Sequence, residues 1–357
     1  MVIFFGRAQT RRVTGKVVVF GATTNVGKHL SLLLTLCPQV KELCCFDPLN
    51  DVTLRMTETR VRGIVKDLSH IDTGVVLRAV DDPQQWEPAM RNAQLVLICT
   101  GSIPNPSRLQ RDLALAECAP EYLVAMELVA RAAPHAIVGI ASGPVNSLVP
   151  LAREVLLRHS AFDPRKLFGI TSRDVMRTRV LFAKELHMNP YDVNVHVVGG
   201  KGDATVCPLI TQTGFQLSHQ RMVQLCEEVQ RTENFTAADH NSTGCRVDSQ
   251  NVQGQEKFTC PTLSTANAAY EWVTSIMKAQ RGDRGITECS FVESSIKRET
   301  PFFSSLVELG EEGAAQLLPL GALTPYEEEL VAAAVPLILE DVEAGLRLSK
   351  TGVDAVS

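Results

Sequence analysis

The chain has 357 residues, 45% hydrophobic and 21% charged, an ordinary globular composition that excludes disorder, collagen and coiled coil as its whole structure. No apolar run reaches the ~18 residues of a membrane-spanning helix, so no membrane partner is expected. A formal charge of -5 and a pI of 5.9 argue against a non-specific grip on nucleic acid and leave small molecules or proteins as partners.

Residues 1–15, MVIFFGRAQTRRVTG, hold Arg7, Arg11 and Arg12 and no acid. Val2 to Phe5 is too short for a signal-peptide core. Two readings remain, an Arg-rich mitochondrial presequence or a plain extension, and with them a mitochondrial-matrix or a cytoplasmic protein. The last three residues are not a peroxisomal tripeptide. The ten cysteines form no CxxC pair, which argues against a zinc site or a disulfide framework and for a reducing compartment.

From there the chain alternates strands and helices. Residues 16–21 (KVVVFG) predict a buried strand, 26–36 a helix and 42–47 (ELCCFD) a second strand. Strands at 95–100 and 136–141 flank an Ala/Leu/Glu-rich helix at 112–132. Apolar strands separated by helices, without hairpin turns, predict a parallel sheet covered on both faces. Cys44 and Cys45 then belong to the core and are not nucleophiles.

The order changes near Phe162-Asp163-Pro164. A helix at 173–186 and a strand at 193–198 follow, then helices around 222–232 and 266–279. Strands at 286–293 and 304–309 and a long helix at 326–346 complete the pattern. Residues 237–255 are polar and read as a loop. The expected organisation is an extension (1–15), a doubly wound α/β domain (16–161), a second α+β domain (162–350) and a tail (351–357).

The first strand runs into Gly21-Ala22-Thr23-Thr24-Asn25-Val26-Gly27-Lys28, where a helix begins. Such a turn offers backbone N–H groups to a pyrophosphate, as in a Rossmann unit. Asp47 ends the second strand, twenty residues after Gly27. An acid there hydrogen-bonds the adenosine ribose and disfavours a 2′-phosphate, which argues for NAD over NADP. Two rivals stand beside this reading. A phosphate loop of the nucleotide triphosphatase type requires Ser or Thr after the lysine, and His29 stands there. A tight turn with no ligand is the other, because Thr24 occupies the middle of the turn, and a β-branched residue disfavours the backbone angles a glycine adopts there.

Six blocks then occur in order: Asp67-Leu-Ser-His-Ile71, Gly143-Pro-Val-Asn-Ser147, Lys166-Leu-Phe-Gly-Ile-Thr171, Val197-Val-Gly-Gly200, Thr262-Leu-Ser264 and Gly285-Ile-Thr-Glu-Cys-Ser-Phe-Val-Glu293. Together they resemble NAD-dependent malate dehydrogenases of the mitochondrial type, within the lactate/malate dehydrogenase superfamily, from about residue 16 to about residue 350. The resemblance implies an amino-terminal Rossmann domain, a carboxy-terminal α+β substrate domain, NAD as cofactor, malate and oxaloacetate as substrates, and a homodimer or, alternatively, a tetramer. His70 falls in the block resembling the family's subunit-interface helix.

Under the resemblance the cofactor set is Gly21, Thr24, Gly27, Asp47 and Gly101, with Thr24 in the place of the family's middle glycine. The proton-shuttling histidine, directly after Gly-Gly, is replaced by Lys201, while its orienting aspartate matches Asp174. Arg177 matches the arginine that grips the substrate carboxylate. The family's Asn-Pro-Val-Asn reads Gly143-Pro144-Val145-Asn146, which removes the first asparagine and keeps Asn146. The mobile loop normally carries two arginines. Here the first position holds Pro104 or Asn105. The second is Arg111 counted back from the following helix, or Gln110 counted forward, and Arg108 can swing in.

Oxidising a 2-hydroxy acid needs a neutral base, and histidine suits it because it titrates near neutrality. Lysine beside Asp174 is a poor substitute, because a carboxylate favours the ammonium form. His196 lies on the strand leading to Lys201 and alternates away from it, so it is expected to pack rather than to replace the base. Glu42, Asp163 and residues 327–329 read as solvated or capping acids. Two functions follow. One is a weak or inactive relative that keeps fold and dimer, binds NAD weakly and acts through a protein partner. The other is a working dehydrogenase of malate, oxaloacetate or another 2-oxo acid, with Lys201 as proton donor.

Overall fold

Lys16–Phe20 (β1) is buried along its whole length, and its side chains alternate between two separate cores. Val18 and Phe20 face one, Val17 and Val19 the other, so the strand needs helices on both sides. The computed structural model describes residues 15–47, 61–100, 111–141, 143–231 and 262–351. The amino-terminal extension before Gly15, the loop with Gly101, Pro104, Asn105, Arg108 and Gln110, and the polar loop at 237–255 lie outside the described residues.

The first half contains Asn25–Thr35 (α1), Glu42–Phe46 (β2), Val61–Leu68 (α2), Val76–Val80 (β3), Pro83–Met90 (α3), Leu95–Ile98 (β4), Arg111–Ala132 (α4), Ile137–Ile140 (β5), Val145–Arg158 (α5) and Leu167–Ile170 (β6). These strands lie in the order β3-β2-β1-β4-β5-β6 and every pair is parallel. This is the doubly wound Rossmann arrangement. The reversal of order between β1 and β4 puts the ligand crevice at the carboxyl ends of those strands.

The parallel sheet does not stop at residue 161. β6 lies beyond it and pairs with β5 through Val138–Leu167 and Ile140–Gly169. The strand sense changes only at the next neighbour, Thr287–Glu293 (β9), which runs antiparallel to β6. The sheet continues through Phe302–Gly310 (β10), His196–Gly199 (β7) and Val206–Leu209 (β8), with Gly313–Leu317 (β11) on β10. β7 begins at His196, three residues later than the sequence pattern suggests.

The remaining helices are Ser172–Leu186 (α6), His219–Arg231 (α7), Leu263–Gln280 (α8) and Pro325–Thr351 (α9). α8 packs under the first sheet. Its Trp272 is fully buried, lies edge-on to Phe168 at 5.4 Å and donates to Ser290 Oγ at 3.2 Å. α9 covers the opposite face against α5 and begins with Thr324 and Glu327 in a reciprocal cap, so Glu327 is a buried capping acid. Among the described residues no helix is long and apolar enough to cross a membrane. Cys44 and Cys45 are buried on β2, and burial pushes their thiols up to about 12 and about 11, as expected of core residues.

Candidate functional site

The glycine turn and Asp47 converge at the carboxyl ends of β1 and β2. The N–H groups of Gly21 and Ala22 both donate to Phe46 O at 3.0 Å, which draws the end of β2 against the turn. Thr23 Oγ1 donates to Asp47 Oδ2 at 2.6 Å. Gly21 has φ +74, and a Cβ there would meet Thr100 N at 2.7 Å. A Cβ on Gly27 would lie 2.0 Å from Gly21 O, so the first turn of α1 approaches the end of β1 as only glycine permits.

Thr24 is not strained, contrary to the sequence expectation. It lies at φ −64 and ψ 159 and is the N-cap of α1. Its hydroxyl donates to Gly21 O at 2.7 Å and accepts from Gly27 N at 3.0 Å. A threonine is a good N-cap for this reason. The cap has a functional consequence, because it occupies one of the amides that a helix amino terminus offers to an anion. The first-turn N–H groups of Asn25 and Val26, which have no carbonyl one turn back within the helix, remain for a pyrophosphate. The turn therefore fits a dinucleotide with one donor fewer.

A second acid enters this site from α4. Glu121 is raised to about 7, by burial first and by the charge of Asp47 second. Nothing in the Ala/Leu/Glu-rich stretch marks it, since its neighbour Asp47 is 74 residues away in sequence. Its folded state binds a proton more tightly than the free side chain. Its contribution to stability is therefore fully present below about 4.5 and is lost as pH rises through about 7. Glu121→Gln should accordingly gain stability relative to the wild type between about pH 5 and about pH 8, read from urea midpoints. An equal difference at both values would show that the burial of Glu121 carries no such linkage.

Of the residues expected in the substrate site, Lys201, just past β7, is tied to Asn146 after β5 and to Ile170 at the end of β6. Gly199 has φ +99, and a Cβ on it would lie 2.2 Å from Thr205 O. One on Gly200 would lie 2.8 Å from Asn146 Nδ2. The Gly-Gly pair thus lets the chain turn tightly into Lys201. Asn146, 2% exposed, holds that residue by its backbone: Lys201 N donates to Oδ1 at 2.8 Å, and Nδ2 donates to Lys201 O at 3.2 Å and to Asp341 Oδ2 of α9 at 3.0 Å. The side-chain amide of Asn146, expected at the substrate, is thus engaged with the backbone of Lys201 and with Asp341. Lys201 Nζ donates to Ile170 O, the last carbonyl of β6, at 2.9 Å.

Asp174 sits in the first turn of α6, 1% exposed. Thr171 fixes this junction by donating to Cys289 O at 2.8 Å. Neither carboxylate oxygen of Asp174 receives a hydrogen bond among the described residues, and Arg173 Nη2 lies 3.5 Å from Oδ1. The helix amino terminus and the guanidinium balance the charge. Arg177, one turn on, directs Nη2 to Val229 O at 2.7 Å and Glu228 O at 3.4 Å, the last carbonyls of α7. Arg111 begins α4. Among the described residues, nothing lies within 4 Å of where a Cβ on Gly143 would be. His196 lies at the far end of β7, its Nδ1 3.4 Å from Gln212 Oε1.

Residues 15–169 match the NAD binding domain of lactate/malate dehydrogenase, and residues 171–348 match the alpha/beta C-terminal domain of the same family. The two matches meet at the end of β6. The glyoxysomal malate dehydrogenase of Oryza sativa subsp. japonica is 33% identical over 331 residues, 93% of this chain and 86% of that protein. The mitochondrial malate dehydrogenase of Bos taurus is 30% identical over 332 residues, 92% of this chain and 90% of that protein. Among solved structures, the malate dehydrogenase of Cryptosporidium parvum has a TM-score of 0.70 at 18% identity, covering 93% of this chain and 99% of that one. That of Picrophilus torridus has a TM-score of 0.72 at 15% identity, covering 94% and 99%. At such identities the structures speak for the fold, and the sequence matches carry the relationship. Both halves of the chain are matched in order, so the protein belongs to the lactate/malate dehydrogenase family.

Proposed function

We propose that this chain is a malate dehydrogenase relative that retains a dinucleotide site and a 2-oxo acid pocket but transfers hydride far more slowly than an ordinary dehydrogenase. The single observation that carries this reading is Lys201 in the place of the proton-shuttling histidine, its Nζ on Ile170 O. The buried Asp174, with no hydrogen-bond donor on either oxygen among the described residues, fits a carboxylate that has lost its imidazole. Bound at the glycine turn, the nicotinamide cofactor would supply the hydride chemistry. Asn25, Val26 and Asp47 would hold it, and Lys201 and Arg177 would meet the acid. Losing a general acid–base group costs on the order of 10² to 10⁴ in rate. NADH absorbance with oxaloacetate should therefore fall at least about a hundredfold short of the ordinary ~10 per second. A turnover near that ordinary value overturns the reading and supports the second one, a working enzyme with Lys201 as proton donor, which the firm backbone grip of Asn146 on Lys201 favours.

The weaker cofactor affinity is a separate expectation. Thr24→Gly frees the Gly27 N–H for a phosphate oxygen, and a hydrogen bond to a charged group is worth about 1.5–3 kcal/mol. NAD should bind about tenfold tighter in calorimetry, while losing the cap costs only a few tenths of a kcal/mol in stability. Unchanged affinity would remove Thr24 as the cause. A homodimer with a binding or structural role completes the reading. Leu32 and Leu36 beside α1, Val180 on α6 and Leu263 on α8 expose apolar side chains on helices joined through α8, and sedimentation velocity reads the resulting mass.

A further inference from the structure

β1 and β2 begin with charged side chains and continue with apolar ones. Lys16 shares one face of β1 with Val18 and Phe20, which lie in the core, and it is itself only 8% exposed. Its ammonium meets Glu42 Oε1 at 3.3 Å and donates to Arg91 O at 3.1 Å. Arg78, on the edge strand β3, brings Nε to the same Glu42 oxygen at 2.7 Å. Burial alone would raise the Glu42 carboxyl, but Lys16 and Arg78 hold it below the usual range, so it is a carboxylate. These residues line a cleft of about 630 Å³ between β3 and α3, a volume typical of small-molecule sites. Gln85 and Arg91 complete its wall. Three cations, Lys16, Arg78 and Arg91, thus stand against one acid, Glu42, in a chain whose formal charge is -5. The neighbouring acids are engaged elsewhere, since Asp81 pairs with Arg62 at 2.6 Å and Asp82 caps α3 through Gln84 N. Among the described residues the Arg91 guanidinium pairs with no acid, and the outer nitrogens of Arg78 donate to no acceptor. The wall is fixed at its base. Arg91 N donates to Glu87 O at 3.1 Å, Gln94 N donates to Lys16 O at 3.0 Å, and Gly15 N donates to Gln94 Oε1 at 2.8 Å.

We propose that this cleft, at the opposite end of β1 from the glycine turn, is a second small-molecule site and that it binds a small sugar phosphate. A phosphate monoester carries close to two negative charges near neutral pH on three acceptor oxygens, which matches the excess of cations. Arg78 and Arg91 offer planar forks that suit those oxygens. Lys16 adds a charge at the floor of the cleft, where walls of low dielectric strengthen its field. Glu42 selects the rest of the ligand. Its contacts with Lys16, Arg78 and the Cys44 thiol all fall on Oε1, which leaves Oε2 to accept from a ligand hydroxyl. A second anionic group would be repelled there, so a dicarboxylate fits less well than a phosphate borne on a polyol.

The test modifies the full wild-type chain with phenylglyoxal, which reacts with accessible guanidiniums, and reads each arginine by peptide mapping. Glucose 6-phosphate near saturation should slow the modification of Arg78 and Arg91 together by about tenfold. Glucose, succinate, and sodium chloride at equal ionic strength should leave both rates unchanged. Inorganic phosphate, which brings the charge without the sugar hydroxyls, should protect the same two arginines only at about tenfold higher concentration. Rates that glucose 6-phosphate leaves unchanged, that sodium chloride slows equally, or that fall only at other arginines overturn the site. Protection by succinate, or equal potency of inorganic phosphate, overturns the sugar phosphate as its ligand. In calorimetry Arg91→Gln should bind glucose 6-phosphate about tenfold more weakly than the wild type, and equal affinity overturns the proposal. The ties of residue 91 run through its backbone, and the mapping of the wild type stands whether or not the variant folds.

Discussion

Lys201→His alone is expected to leave oxaloacetate reduction well below the ordinary ~10 per second. The new imidazole would have Asp174 to orient it, and Asn146 would still fix the backbone of residue 201. Oxaloacetate, however, is a diacid. Arg177 is the clamp that the resemblance proposes, and its Nη2 is engaged with two carbonyls at the carboxyl end of α7, so a carboxylate that used this nitrogen would compete with them. By the resemblance, the place of the first loop arginine holds Pro104 or Asn105, and that of the first asparagine holds Gly143. Gly143→Asn should fit, because among the described residues nothing lies within 4 Å of a Cβ there. Adding Gly143→Asn and an arginine at 104 or 105 to Lys201→His should raise kcat/KM by more than the product of the separate effects, since such groups act as a unit. Each protein is assayed in both directions. If Lys201→His by itself reaches about 10 per second, the loop and Gly143 changes are not disabling, and the pocket lost only its base.

What the sequence discloses here is local. β1, the turn from Gly21 to Gly27 and Asp47 are legible because a continuous apolar run, two glycines and an acid fall within 32 residues. β3 escapes because it is an edge strand whose burial alternates, so it offers no apolar run. β6 is only four residues long and follows Phe162-Asp163-Pro164, which reads as a boundary although the parallel sheet continues past it. Thr24 shows the converse error. Residue type alone suggests a misfit in a glycine's place, but the chain meets it with the extended angles of an N-cap, which threonine adopts freely. The resemblance proposes roles for Lys201, Asp174 and Arg177, but not what they touch. Arg177 reaches carbonyls 51 and 52 residues away, and Asn146 joins residues 55 and 195 positions distant. No period or motif in the chain encodes such contacts, which arise from the packing of α6 on α7 and of α5 on α9.

Asn146→Leu is expected to cost about 3 kcal/mol or more of stability, because it strips hydrogen bonds from buried polar groups without removing the groups. Lys201 N and O each lose their bond to the Asn146 side chain, and Asp341, on a helix packed against α5, loses a donor at 3.0 Å. Leaving a buried donor or acceptor unmet costs about 1–3 kcal/mol each, so the sum outweighs the apolar area that leucine adds. The urea midpoint should fall with little change in slope. Asn146→Asp is the sharper variant. It keeps an acceptor for Lys201 N but sets a carboxylate oxygen against Asp341 Oδ2, two like charges in a buried site. Combining Asn146→Asp with Asp341→Asn returns a donor to that contact and should recover about 1 kcal/mol or more of the loss, although Lys201 O still lacks its donor. Independent, additive losses in the double variant would mean that the Asn146–Asp341 contact carries no energy, and that α9 does not help to hold Lys201 in place.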